Sequence, residues 1–435
     1  MIQLDIINIR LCEKLFHLHI AIGDGEVTLR PKTQLIEFGK FTLGNDDEEN
    51  EMILFPGSFS FSFRIKNDSD YMVVRDALTI NNTVITVYQG TDGVNPPFYK
   101  GKMQLEQISR DNQLKVISAV FYDDTAILSN STYSHANSPE YIKVFELSSD
   151  QFGQYWSGIT IESRLQFKAS EYFVGLNDIY GIIYADGPYY YNKTSNGMQV
   201  LYNYSTIGDV FKTLLNTFAS YAIVGFNSEL LILPRWYDGR GKRDLSDVII
   251  AGGDTLYFSK KFDGLILNVK FRAAVNGETN YHAYKVGNVE FKNGTTELLN
   301  PDLVETIYFY CGLDGTEGAG SRLLFYSPEP YITDINLDDN GASFLTILNN
   351  SQSYSPRLSL KQMVANIIFS NIGVNRKKYT VEVTGTDYSF KEYYSVPLES
   401  AVFRPVKIIY DFVKDRTELT LIECPTIKDQ ALTSW

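Results

Sequence analysis

The chain has 435 residues, of which 44% are hydrophobic, with 30 tyrosines and 27 phenylalanines. That is apolar mass for about two to four packed domains and too much for a disordered chain. A formal net charge of −13 excludes a broad basic face that grips phosphates.

The acidic balance suits a surface past which DNA slides without sticking. The densest basic stretch, Arg235 to Arg243, contains an Asp and reads as a solvated loop. Cys12, Cys311 and Cys424 lie far apart and form no CxxC pair, so neither a disulfide framework nor a zinc ribbon is expected. The opening MIQLDIINIR carries charges where a signal peptide needs an apolar core. Apolar runs such as Ala222–Phe226 fall far short of the ~20 residues of a membrane helix, so no membrane anchor is expected.

The first 145 residues read as strand after strand. His17 to Ile22 alternates with period two, and Gly23-Asp24-Gly25 follows as a turn. In Phe55 to Ile65, Phe59, Phe61, Phe63 and Ile65 face one way, and Ser60, Ser62 and Arg64 the other. Thr83–Tyr88, Phe98–Leu105 and Leu114–Tyr122 continue the pattern, and Asp46–Glu49 is an acidic loop between strands. Residues 146–200 are aromatic with few clear periods. There Tyr189, Tyr190 and Tyr191 supply either a receptor, sugar or partner surface or a partly buried subunit contact.

The spacing of Ile207, Val210, Phe211, Leu214, Leu215 and Phe218 predicts a helix capped by Thr206. Two short strands follow, Ala222–Phe226 and Leu230–Leu233, with Pro234 ending the second. Further strands are expected at Gly264–Phe271 and Thr306–Tyr310, and a glycine-rich loop at Gly312–Gly320. A second helix is expected from Ser359 to Asn371, then strands at Tyr379–Val383, Val406–Asp411 and Thr417–Glu423.

The search for chemistry is negative. The glycine-rich loop lacks the Lys of a phosphate-binding loop, and H-E-x-x-H and G-x-S-x-G are absent. His17 and His19 share a strand face without an obvious third metal ligand. Asp334 to Gly341 starts like a calcium loop, but its sixth position is Asp339 and its twelfth Leu345, so it reads first as a polar turn and second as a calcium site. No pair of carboxylates stands out for glycoside hydrolysis. The expectation is a chain that is not an enzyme, with no catalytic residues, no cofactor and no metal.

The order of elements carries more. Val87-Tyr88-Gln89-Gly90 is followed by Phe98-Tyr99-Lys100-Gly101. Thr206 to Leu215 is followed by Ile223–Asn227 and Leu230–Pro234. The end reads Pro405–Asp411, then Thr417–Ile422. This succession resembles the tail-hub proteins of phages and contractile injection systems. The resemblance implies a mainly β fold with a few short helices: two β-barrel-like tube modules and an inserted α/β region. The first module would span 1–145 and an inserted helix-plus-hairpin domain 146–244. The second module would begin with strands and loops at 245–355 and end with a helix and closing strands at 356–435.

It further implies a homotrimer in the virion. Its ring would join the tail tube to the tip or spike, bind tube, distal tail and tip proteins, and let DNA pass without sequence-specific binding. Ring strands would carry Phe59, Phe61, Phe63, Val87, Tyr88, Leu267, Val269, Ile408 and Tyr410. The alternatives are a distal tail adaptor or a receptor- or carbohydrate-binding tail component, and thirdly a polysaccharide-degrading enzyme.

Overall fold

The computed structural model describes residues 1–44, 54–55, 57–90, 97–123, 161–163, 182–186, 189–194, 197–202, 220–224, 230–237, 241–252, 256–270, 281–295, 297–310, 322–326, 368–426, 428 and 433–434. The expected helix at Thr206–Phe218, the loop at Gly312–Gly320, the Asp334–Gly341 turn and the acidic Asp46–Glu49 loop lie outside these residues. So does most of the expected helix at Ser359–Asn371; residues 368–372 are helical.

The fold is mainly β. The described residues up to 123 supply β1 (Ile2–Leu11), β2 (Lys14–Ile22), β3 (Thr33–Gly44) and β4 (Ser58–Ile65), then helix α1 (Asp68–Ile80), then β5 (Thr83–Gln89), β6 (Tyr99–Met103), β7 (Ser109–Asp111) and β8 (Val116–Tyr122). Alternation drives these strands. In β4 the phenylalanines are buried, and Ser62 is held inside by a 2.7 Å hydrogen bond to Ser118 of β8.

Helix α1 interrupts the expected succession of strands. Its signals are present in the sequence. The Asn67 side chain caps the Asp70 amide, Asp68 and Asp70 sit in the positive first turn, and Tyr71, Val74 and Leu78 form one buried face.

The later residues continue the same sheet with β9 (Lys242–Asp244), β10 (Ile249–Gly252), β11 (Tyr257–Phe258), β12 (Lys377–Thr384), β13 (Tyr393–Ser395), β14 (Phe403–Asp411) and β15 (Arg416–Glu423). Its main path runs β1-β2-β5-β6-β8-β4-β3-β14-β15-β12-β10. Every neighbour on this path is antiparallel. One unbroken row of paired residues crosses it from Gln3, through Lys102, Thr42 and Ile409, to Ala251. The two ends of the chain thus build one sheet, which curls into a half-barrel.

Smaller sheets complete the described fold. Ser220–Val224 and Leu230–Pro234 form the expected hairpin. Gly264–Lys270 lies between Tyr281–Gly287 and Val304–Tyr310 in a separate sheet, to which Thr433–Ser434 near the C-terminus adds.

The seam between the two halves is β3 against β14, with Phe41 opposite Tyr410 and Gly44 opposite Lys407. Aromatic packing reinforces it. Phe412, just beyond β14, sits 5.0 Å from Phe16, 5.7 Å from Phe98 and 5.7 Å from Phe41 (ring centroids), all three from the early part of the chain. Phe41 in turn stacks on Phe59 at 4.0 Å. Lys14 of β2 reaches across to the Thr386 hydroxyl at 2.7 Å. Both halves therefore share one hydrophobic core.

Gly44 is demanded by this seam. Its φ is +82°, and a Cβ there would lie 2.1 Å from the Val406 carbonyl oxygen. Gly44→Ala should cost about 3 kcal/mol, from the left-handed backbone and the overpacking together. Phe412→Ala should cost about 3–5 kcal/mol by leaving a cavity. Chemical denaturation measures both; a loss within experimental error for either would contradict the seam.

Candidate assembly interface

The ring-strand residues expected from sequence lie within the chain's own packing. Phe59, Phe61, Phe63, Val87, Ile408 and Tyr410 are buried in the shared core, and Leu267 in the separate sheet. Tyr88 is half-buried and packs edge-on against His19. Val269 lies on Gly264–Lys270, opposite His282. β5 is paired on both sides, by β2 and β6, and β14 by β3 and β15, so their backbone groups are used inside one subunit. Tyr189, Tyr190 and Tyr191 form a strand paired with Val200–Tyr202.

Backbone groups available for another chain lie elsewhere. Among the described residues, β1 ends the path on one side, and β10 with β11 ends it on the other by pairing along β12. Segment Thr28–Leu29 covers only the start of β1, through hydrogen bonds to Met1 and Gln3. Ile7 on one edge is 59% exposed, and Phe258 on the other is 58% exposed. Ile250 and Tyr257 are exposed beside it. The strand residues of β10 and β11 carry no charge, whereas solvent-facing edges usually do.

Near this second edge a turn is clamped. The Glu399 carboxylate accepts from Lys377 Nζ at 2.6 Å and from the Tyr379 hydroxyl, both on β12. The Glu399 amide closes a turn onto the Val396 carbonyl at 3.1 Å. The turn places Leu398 at φ +67° with its side chain fully exposed. Glycine is the usual occupant of such a slot. A strained leucine offered to solvent persists here because its neighbours hold the turn.

The basic stretch is a scaffold element in part, not only a solvated loop. Arg235 is buried, and Arg243 lies 4.1 Å over the Tyr388 ring and 3.2 Å from Asp387. His17 and His19 are engaged in the fold. His17 Nδ1 accepts the Asn8 amide and Nε2 lies 3.1 Å from the Gly90 carbonyl, while His19 Nδ1 meets Asp5 at 2.7 Å. Among the described residues no three His, Cys, Asp or Glu side chains gather into a metal-sized group.

No protein-family model matches the chain, and no curated protein matches it. Solved structures do. The chain is similar to a tail protein from Neisseria meningitidis MC58 (9% identity, 94% of this chain and 96% of that one, TM-score 0.44). It is similar to the 43 kDa tail protein of prophage MuSo2 from Shewanella oneidensis (10% identity, 89% and 97% covered, TM-score 0.43). It is also similar to the E. coli c3393 protein, a type VI secretion component described as resembling T4 bacteriophage tail proteins gp27 and gp5 (7% identity, 92% and 79% covered, TM-score 0.36).

The clamp has a pH signature. Hydrogen bonds from Lys377 and then Tyr379 hold the Glu399 carboxyl below its usual range. Burial, then the bond to Glu399, pushes the Tyr379 hydroxyl up to about 12. A depressed carboxyl stabilises the fold above its unfolded value, about 4.3. That contribution disappears as pH falls through the lower folded value. The Tyr379 contribution is complete below about 10 and is lost as pH rises toward 12. Denaturation of Glu399→Gln should show a shallower loss of stability than the parent as pH falls below the unfolded carboxyl value, about 4.3. Parallel pH profiles would contradict the clamp.

Proposed function

We propose that the chain is a structural subunit of a phage tail tip: a homotrimeric hub ring that joins the tail tube to the tip or spike and lines the DNA channel. The observation that supports this best is the seam. The early strands and the late strands of one chain already join side by side through the pairing of β3 with β14. Among the described residues, a strand edge remains at each end of the resulting half-barrel.

A head-to-tail contact repeated by rotation closes into a ring. Three subunits then place six modules around one axis. Such a ring is sixfold in its modules and threefold in its chains, which lets it match a hexameric tube on one face and a threefold tip on the other. The net charge of −13 suits a lumen that DNA passes by repulsion and not by gripping. Its partners are tube, distal tail and tip or spike proteins, its place is the virion, and its role is mechanical and not catalytic. On this reading residues 1–145 form one ring module, and 245–435 contribute the second.

Light scattering of the purified chain, alone and with a tail tube protein, tests the reading. The expected mass is three times the 49.4 kDa of one chain, with threefold rings in particle images. A monomer at high concentration under both conditions would sink it.

A further inference from the structure

We infer that His17 works as a proton-sensitive catch on the β1–β2 hairpin: its neutral imidazole holds a bulge in β1 closed, and protonation releases it. The catch lies within one chain and operates with or without assembly into a trimer.

The register of β1 against β2 shifts between Ile6 and Ile9. Ile6 faces Leu18 and Ile9 faces Phe16, so Ile7 and Asn8 stand together opposite His17. A bulge of this kind leaves an extra residue outside the ladder. Asn8 takes the strained place, with φ at +59° in the left-handed region, which Asn tolerates better than most side chains. Its amide donates to His17 Nδ1 at 3.3 Å. An amide N–H can only donate, so Nδ1 is the acceptor and the ring proton sits on Nε2. Nε2 then donates to the Gly90 carbonyl, 3.1 Å away. Gly90 follows β5 directly and gives its own amide to the Leu15 carbonyl of β2. One neutral imidazole thus ties the bulge on one side of β2 to the end of β5 on the other.

A second proton can go only to Nδ1. It sets an N–H against the Asn8 N–H, and at 8% exposure His17 has little water to take up the loss. The Gly90 bond survives, because Nε2 still donates. Acid therefore acts on β1 and not on β5. What it frees is Asn8 to Leu11, the part of β1 between the bulge and the Cys12–Glu13 turn. Imidazoles ordinarily take up their second proton at about pH 6.5. Among the described residues, the ionisable groups sharing this face are Asp5 and Arg10 on β1, His19 on β2 and Tyr88 on β5, the last opposite His17. Asp5 is engaged by His19 at 2.7 Å, by Gln3 at 2.8 Å and by Arg30 at 3.7 Å. Lys14 turns to the other face, over the Phe412 ring at 5.1 Å. A glutamine opposite the bulge could accept from Asn8 at every pH, whereas a histidine makes the hold conditional on its proton.

Amide exchange of the full chain, read by mass spectrometry and corrected for the intrinsic effect of pH, tests the catch. Between about pH 8 and about pH 5, protection of Asn8 to Leu11 should fall about ten-fold, as for the loss of one buried hydrogen bond. Protection of Ser58–Ile65 in β4 should hold. His17→Gln, which accepts and donates but takes up no proton in this range, should protect Asn8 to Leu11 equally at both pH values. His19→Gln should behave as the parent. Equal protection of the parent at both pH values overturns the catch. So does a fall that persists in His17→Gln or that disappears in His19→Gln. Should His17→Gln not fold, nitrogen NMR of a chain whose only histidine is His17 (His19→Gln, His135→Gln and His282→Gln together) decides. The ring should carry its proton on Nε2 at about pH 8 and gain the second as Asn8 to Leu11 lose protection. The opposite tautomer, or proton uptake with β1 unchanged, overturns the catch.

Discussion

The pairing of β3 with β14 is the constraint on which the rest of the structure depends. It joins strands that are more than 350 positions apart in sequence into a few hydrogen-bonded rows, Phe41 with Tyr410 to Gly44 with Lys407. Long-range pairing of that kind carries a loop-closure cost before any contact offsets it. The offset comes from burial. Phe412 enters the Phe16, Phe41 and Phe98 cluster, and the absence of a side chain at Gly44 lets the two backbones approach. Without these, two small curled sheets would each expose an aromatic face.

The same seam decides what remains available for assembly. Among the described residues, a chain that spends β3 and β14 on each other has β1 and the β10–β11 side left at the ends of the sheet. That is why buried strands such as β5 and β14 are poor candidates for contact between subunits, although their sequences read as strongly β. Pairing capacity, and not strand propensity, distinguishes an interface strand from a core strand. The clamp formed by Glu399, Lys377 and Tyr379 fixes a turn beside the second edge and keeps Leu398 exposed.

Much of the fold was legible from residue patterns. The alternation in Ser58–Ile65 and Thr83–Gln89 gave the strands and their buried faces. Arg416–Glu423 and Ser220–Val224 were read within a few residues. Helix α1 was missed because its apolar face is narrow, three buried positions among thirteen, although Asn67 and the early aspartates mark its start. The burial of Arg235 was hidden for a similar reason. A basic stretch looks solvated until tertiary packing surrounds it. Which strands end the sheet was the least legible part. Period-two patterning shows which side chains face the core, but it carries no information about which strand lies at the end of a sheet. That depends on pairing between residues hundreds of positions apart.

Native-state hydrogen exchange reports most directly on whether the two ends of the chain form one sheet. The amides of Thr42 and Leu43 in β3 and of Ile408 and Ile409 in β14 should exchange at a common slow rate. That rate should match those of Phe61 in β4 and Leu419 in β15, so that both halves open together. Fast exchange along β3 and β14, with the two halves opening at separate rates, would show two independent modules and contradict the account.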